Sequence, residues 1–97
     1  MERVRSVGGV PIRLTDERWT HIVENHDEMA GRLDDVLDAI ADPAWVTKGY
    51  GSARIAWRSH GRRTWMAVVY REISKTDGFV ITAFLTGRPR RSPRLWP

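Results

Sequence analysis

Cysteine is absent from the 97-residue sequence. Its absence removes disulfides, Cys-ligated zinc, iron–sulfur clusters and thiol catalysis from consideration. It also suits a reducing compartment, so a cytoplasmic location is the expectation. No apolar run approaches the ~20 residues that a membrane-spanning helix requires. The opening residues, MERVRSVGG, lack the apolar stretch of a secretory signal, and no membrane association is expected. The sequence contains no P-loop, no GxSxG, no dinucleotide fingerprint and, in its second half, no paired-carboxylate motif. With only three histidines, few groups titrate near neutral pH.

What is present is a globular composition, 41% hydrophobic and 29% charged, in one domain's length. We expect a single domain over residues 1–87 and a basic, Pro- and Arg-rich tail over residues 88–97. The net charge of +4 is unevenly spread: residues 1–47 carry five Lys/Arg against ten Asp/Glu, and residues 48–97 carry eleven against two. The second half therefore has the electrostatic footprint of a protein that meets a polyanion, or of a surface simply decorated with arginine.

Along the chain, RVRSVGGVPIRL reads as a small hairpin or extended arm turning at Gly8-Gly9. Thr15 is a good N-cap for a helix running to about His26, with Asp16 and Glu17 favoured by the helix dipole. Met29, Leu33, Val36, Leu37 and Ile40 form the apolar stripe of a second helix that Pro43 ends. Everything after Pro43 reads as strands: AWVTKG, SARIAWRS, RTWMAVVYREI and FVITAFLT. Short connections make them a sequential antiparallel meander. In SARIAWRS, alternation assigns Ile55 and Trp57 to the helix-covered face and Arg54 and Arg58 to the open one. The tail GRPRRSPRLWP, broken by Pro89, Pro93 and Pro97, is an extended basic arm. The expected fold is thus α+β, with two N-terminal helices packed on one face of a three- to four-stranded antiparallel sheet.

Chemistry centres on WTHIVENH, residues 19–26. His21 and His26 lie five apart, a turn of roughly 140° within one helix, which does not suit two ligands of one ion. No Cys, His and acid cluster completes a metal set, and neither metal nor cofactor is expected. Acid–base work suits an imidazole at a helix end beside a strand edge, whereas His21 reads equally well as a hydrogen-bonded core residue. His60 falls in a turn and reads as solvated. On the open face Arg54 and Arg58 would meet Thr82, and Tyr70 on the neighbouring strand. Guanidiniums, a hydroxyl and an imidazole together suit a phosphodiester. Singly, each of these is an ordinary strand residue. Arg63 and the tail residues Arg88, Arg90 and Arg91 would add substrate affinity that falls with salt. Trp57 and Trp65 are available to stack on bases but read first as core.

Two stretches, LTDERWTHIVENHDEM and DGFVITAFLT, together with Asp42-Pro43 closing the second helix, resemble the phage-associated branch of the barnase–EndoU–colicin–RelE (BECR) nuclease superfamily. The resemblance spans most of residues 12–87. It implies a BECR/RelE-like fold of two helices on a four-stranded antiparallel sheet. It also implies cleavage of RNA without a metal, often as a bacterial or phage toxin with an acidic antitoxin or immunity protein as partner. On this sequence its motif positions are His21, His26, Thr82 and, less closely matched, Arg58. Asp27 stands where relatives often carry proline. The expected function is an endoribonuclease that uses the substrate's own 2′-OH, with His26 and His21 as acid and base in either order. The alternative is a non-catalytic module of the same fold that binds nucleic acid or an antitoxin; a metal-dependent hydrolase is a third class.

Overall fold

A computed structural model describes residues 1–97. Its elements in order are β1 (Glu2–Arg5), β2 (Pro11–Leu14), α1 (Asp16–Asn25), a 3-10 turn (Asp27–Met29), α2 (Leu33–Ala41), β3 (Trp45–Lys48), β4 (Arg54–Ser59), β5 (Trp65–Glu72), β6 (Gly78–Thr86) and β7 (Arg94–Trp96). The strands form one seven-stranded sheet in the order β1-β2-β6-β5-β4-β3-β7.

This architecture corrects the expected fold class, and with it the BECR/RelE-like fold of two helices on a four-stranded antiparallel sheet that the resemblance implies. The sheet has seven strands, not three or four, and it is mixed: β2 runs parallel to β6 while every other pair is antiparallel. The protein is mostly β, with two short helices. Both ends of the chain account for the difference. The N-terminal hairpin adds β1 and β2 through Ile12 opposite Gly78 and Arg13 opposite Phe79. That close approach depends on Gly78, because a Cβ there would lie 2.5 Å from Ile12 Cδ1 and 2.6 Å from the Arg71 carbonyl oxygen. At the other end, the tail pairs with the free edge of β3, Lys48 N–H donating to the Pro93 carbonyl at 2.9 Å. An edge is where a proline-flanked strand is tolerated.

Local signals explain the helices. Thr15 caps α1 by accepting the Arg18 N–H at 3.1 Å. The stretch expected as one helix from Met29 onward is instead a 3-10 turn followed by α2. Gly31 separates them at φ +77°, a left-handed conformation that ends a helix and favours glycine.

The main core lies between the helices and one sheet face. Ile22, Met29, Val36, Ala39 and Ile40 pack against Ile12, Val46, Ala56, Met66, Val68, Tyr70, Val80 and Ala83. A second, smaller apolar layer lies on the opposite face: Ile55, Trp57 and Ala67 are buried there, flanked by Trp45, Trp65, Val69 and Phe84. The facing of β4 is therefore the reverse of the expectation. Ala56, with Arg54 and Arg58 on either side, faces the helices, and Ile55 and Trp57 face away. Small side chains at Ala39 and Ala56 let α2 approach the sheet, while the two arginines extend to the margin of the core.

Candidate nucleic-acid interface

The helix-covered face accounts for three of the expected site residues. Arg58 Nη1 donates to the carbonyl and the carboxylate of Asp42, just past the end of α2. Arg54 Nε lies 3.4 Å from Glu72 Oε1, and the other Glu72 oxygen accepts from Ser6 Oγ, which ties the N-terminal hairpin to β5. Tyr70 is completely buried and its hydroxyl has no partner. Burial pushes that hydroxyl up to about 12; the Glu72 carboxylate adds to the rise and Arg54 opposes it. A phenol so held neither reaches substrate nor exchanges its proton near neutral pH.

The two histidines part company. His21 sits on the exposed side of α1, where Asn25 donates to its carbonyl at 2.8 Å and stands 3.3 Å from its Nε2. Its other neighbours are Thr15, Glu17, Arg18, Thr20 and Glu24, in a polar surface groove. His26 caps the C-terminus of α1, its N–H bonded to the Ile22 carbonyl at 2.7 Å. Its ring lies 5.9 Å from the ring of Phe84, tilted by 32°, and its Nδ1 is 3.7 Å from Glu28 Oε2. The two imidazoles share no partner. His60, read as solvated, in fact accepts from Arg32 at 2.8 Å, with Asp35 at 4.0 Å. No three His, Asp or Glu side chains gather in a way that would hold a metal ion.

The face away from the helices carries a different set. Directly opposite residues place Thr82 beside Val69, Phe84 beside Ala67, Trp57 beside Trp45, and Ile55 beside Thr47. Thr82 thus lies with Ile55 and Trp57, on the side of the sheet opposite Arg54, Arg58 and Tyr70. The expected groove uniting these residues does not form. The reason is the parity of β4: one residue of alternation exchanges every side chain between faces.

His26 does reach this second face. From Val80 onward β6 has no strand partner on its outer side, and α1 and the 3-10 turn run alongside instead. That arrangement brings His26 over the sheet margin onto Phe84, two residues along from Thr82 on the same face.

Aromatic groups dominate the rest of this face. Trp45 and Trp65 have ring centroids 4.8 Å apart, and Trp45 and Trp57 are stacked at 6.4 Å. Trp57 Nε1 donates to the buried Thr47 hydroxyl at 2.8 Å, so the indole is both packed and satisfied. Around these rings stand cations. Arg94 lies over Trp45 with Cζ 4.9 Å from the ring centroid, and Arg13 lies 5.7 Å from the Phe79 centroid. A cleft of ≈ 500 Å³ is lined by Trp45, Thr47, Pro89, Arg90, Arg91, Ser92 and Arg94. Arg63, at φ +58°, is exposed in the turn before β5, and its carbonyl backs onto Gly87, beside Arg88. Arg63, Arg88, Arg90, Arg91 and Arg94 have no carboxylate within 4.0 Å.

Three residues of this face escaped sequence reasoning: Trp45, Phe84 and Arg94. A signal existed for the first. Trp45, Trp57 and Trp65 all fall on consecutive strands of a meander, so a hairpin register that paired Trp45 with Trp57 would have grouped them. Nothing local marked Arg94, whose place depends on the tail finding β3. No helix is long and apolar enough to cross a membrane. No family model matches the chain, and neither a curated protein nor a solved structure shows significant similarity to it.

Proposed function

We propose that this protein acts on single-stranded RNA laid across the open face of its sheet, cleaving it without a metal through the substrate's own 2′-OH. The observation that carries this reading is the position of His26, whose ring rests on Phe84 at the border of that face. An imidazole there borders a face of half-buried rings, with unpaired arginines along its far edge, a combination that suits unstacked bases and phosphates. Four acidic residues, Asp34, Asp35, Asp38 and Asp42, belong to α2 and its C-cap, on the covered side, whereas Glu28 beside His26 and Asp77 beside Arg13 lie near the open one. A polyanion is therefore drawn to the edge that carries the arm's arginines and repelled by the outer side of α2. The short motifs resembling BECR nucleases favour RNA over DNA, and with it a toxin's role.

In this reading Arg54, Arg58 and Tyr70, on the covered side, and His21, on the outer side of α1, take no part in the chemistry. Glu28 beside Nδ1 of His26 leaves Nε2 for the substrate. That nitrogen takes the 2′-OH proton, the 2′-oxygen attacks phosphorus, and the bond to the 5′-oxygen breaks. The same imidazolium returns a proton to the departing oxygen. Thr82, on the same strand as Phe84, donates to a non-bridging oxygen and offsets part of the charge that builds there. The products are a 2′,3′-cyclic phosphate and a 5′-hydroxyl.

The test is incubation of the purified protein with single-stranded RNA in EDTA, beside the same sequence carrying 2′-O-methyl groups. Cyclic-phosphate ends on the first and no cleavage of the second are expected. Intact RNA under all conditions overturns the reading of cleavage. A second reading, binding without cleavage, is favoured by the presence of only one imidazole on this face; it predicts retention of both strands intact and no arrest of cell growth on expression.

A further inference from the structure

We infer that the C-terminal arm and Trp45 form a subsite for one nucleotide of a single strand: the base lies on the outer plane of the Arg94 guanidinium, and the adjoining phosphates fall to Arg90 and Arg91. The inference rests on the open face being where RNA lies, and it adds a substrate-binding station remote from His26. The Arg94 guanidinium carbon lies over the Trp45 ring, 4.9 Å from its centroid, and Trp45 itself leans on Trp65 and Trp57. The outer side of Arg94 is exposed, and no carboxylate engages it. A guanidinium backed by an indole is a fixed, flat, cationic platform, and bases stack on such planes.

The arm is positioned in advance. Lys48 N–H holds the Pro93 carbonyl at 2.9 Å, and β7 continues the register with Arg94 opposite Thr47 and Trp96 opposite Val46. Pro89 and Pro93 fix φ on either side of Arg90 and Arg91. Binding then costs less ordering of the arginines than a free tail would incur. The ≈ 500 Å³ cleft they enclose with Trp45 and Thr47 is of a size to admit one nucleotide. The contacts are to a base plane and to phosphate, with none directed at a 2′-OH. The subsite therefore takes DNA and RNA single strands alike, and rejects a strand without bases.

The experiment measures binding of labelled hexamers to the full chain by fluorescence anisotropy. The strands are 2′-O-methyl uridylate, thymidylate and an abasic deoxyribose phosphate; the proteins are wild type, Arg94→Lys and Arg94→Ala. Circular dichroism checks that each variant keeps the wild-type fold. Both variants are expected to bind the two base-bearing hexamers about tenfold more weakly. The abasic strand is expected to bind wild type more weakly than either, and to be indifferent to Arg94→Lys, which keeps the charge and loses the plane. The subsite is overturned if Arg94→Lys binds the base-bearing strands as wild type does. It is also overturned if the abasic strand binds as tightly as they do, or if polyglutamate of equal charge competes as well as unlabelled hexamer, which would mark an acidic protein as the ligand. Should the Arg94 variants bind like wild type while RNA is still cleaved, the subsite falls and the RNA reading stands. If wild type neither binds nor cleaves RNA, both fall.

Discussion

On the helix-covered face of the sheet, Arg54 ends on Glu72 and Arg58 on Asp42. On the open face, Arg90, Arg91 and Arg94 end on no carboxylate at all. The hydroxyls differ in access instead: Tyr70 is sealed in the core without a partner, whereas Thr82 is only half-buried. On the covered side both arginines are tied to carboxylates; on the open side Arg13 is tied to Asp77 at 2.6 Å, while the arginines of the C-terminal arm stay available. The lesson is that residue type alone does not mark a site. An arginine that has found its counter-ion inside the molecule is structural, however well its spacing suits phosphate.

The largest effect that would sharpen this contrast is at His26. If it is the acid–base group of the open face, His26→Ala should lower the rate of RNA cleavage by about 10²- to 10⁴-fold, with no comparable loss in oligonucleotide affinity. Single-turnover rates on a defined RNA measure it. His21→Ala is the matched control on the outer side of α1, and it should cleave at the wild-type rate. Equal losses in both variants would mean that the two histidines act together after all, and would break the distinction between the faces.

The second effect concerns how the open face is built. Trp57 is fully buried there and holds Thr47 through its indole N–H. Trp57→Ala should therefore cost about 3–5 kcal/mol in urea denaturation, as for other core aromatics. It removes the packing beneath Trp45 and leaves a buried hydroxyl unpaired. A cost under about 1 kcal/mol would show that this side is a loose binding surface with no core of its own.

That second layer is also why the sequence was only partly legible. The cap at Thr15, the stripe of Met29, Val36 and Ile40, and the successive strands β4 to β6 all follow from local chemistry. Spacing shows which residues of a strand share a face, but not which face the helices will cover. When both faces are apolar, as along Met66, Ala67 and Val68, alternation has no polar side to point outward. Ile55 and Trp57 are large and apolar, which by size alone suits the helix-covered face, yet α2 packs over the small Ala56. The extra strands were hidden for another reason. The β2–β6 joint depends on Gly78 meeting Ile12, and β7 depends on the tail meeting β3, both encounters between distant parts of the chain. The site inherited the error in parity: Thr82 and His26 reach the same border, while Arg54, Arg58 and Tyr70 go to the other side.

A smaller effect distinguishes Tyr70 as a core residue. Its hydroxyl is buried without a hydrogen bond, so Tyr70→Phe should leave stability unchanged or raise it by about 1 kcal/mol at pH 7. The pH dependence follows from the raised folded value of about 12 against an ordinary 10. The unfolded chain loses this proton first. The group's contribution to stability is thus complete below pH 10 and is lost as pH rises from 10 through 12. Denaturation curves across that window should fall more steeply for wild type than for Tyr70→Phe. Parallel curves would contradict the burial of the phenol.

The smallest expected effect is at Arg58, and it tests the comparison most directly because spacing first placed this residue in the site. Its guanidinium bridges β4 to the carbonyl and carboxylate of Asp42. Both side chains are substantially exposed, at 42% and 84%. An exposed pair of this kind contributes about 0–1 kcal/mol and weakens with salt. Arg58→Ala should therefore lose no more than that in denaturation. Asp42→Ala should lose a similar amount, and the double variant should lose less than the two single losses added together. RNA cleavage and oligonucleotide affinity should stay at wild-type levels in all three. A large loss of cleavage in Arg58→Ala with stability intact would mean that RNA reaches the helix-covered margin. The open face would then be the structural side, and the assignment of roles to the two faces would have to be exchanged.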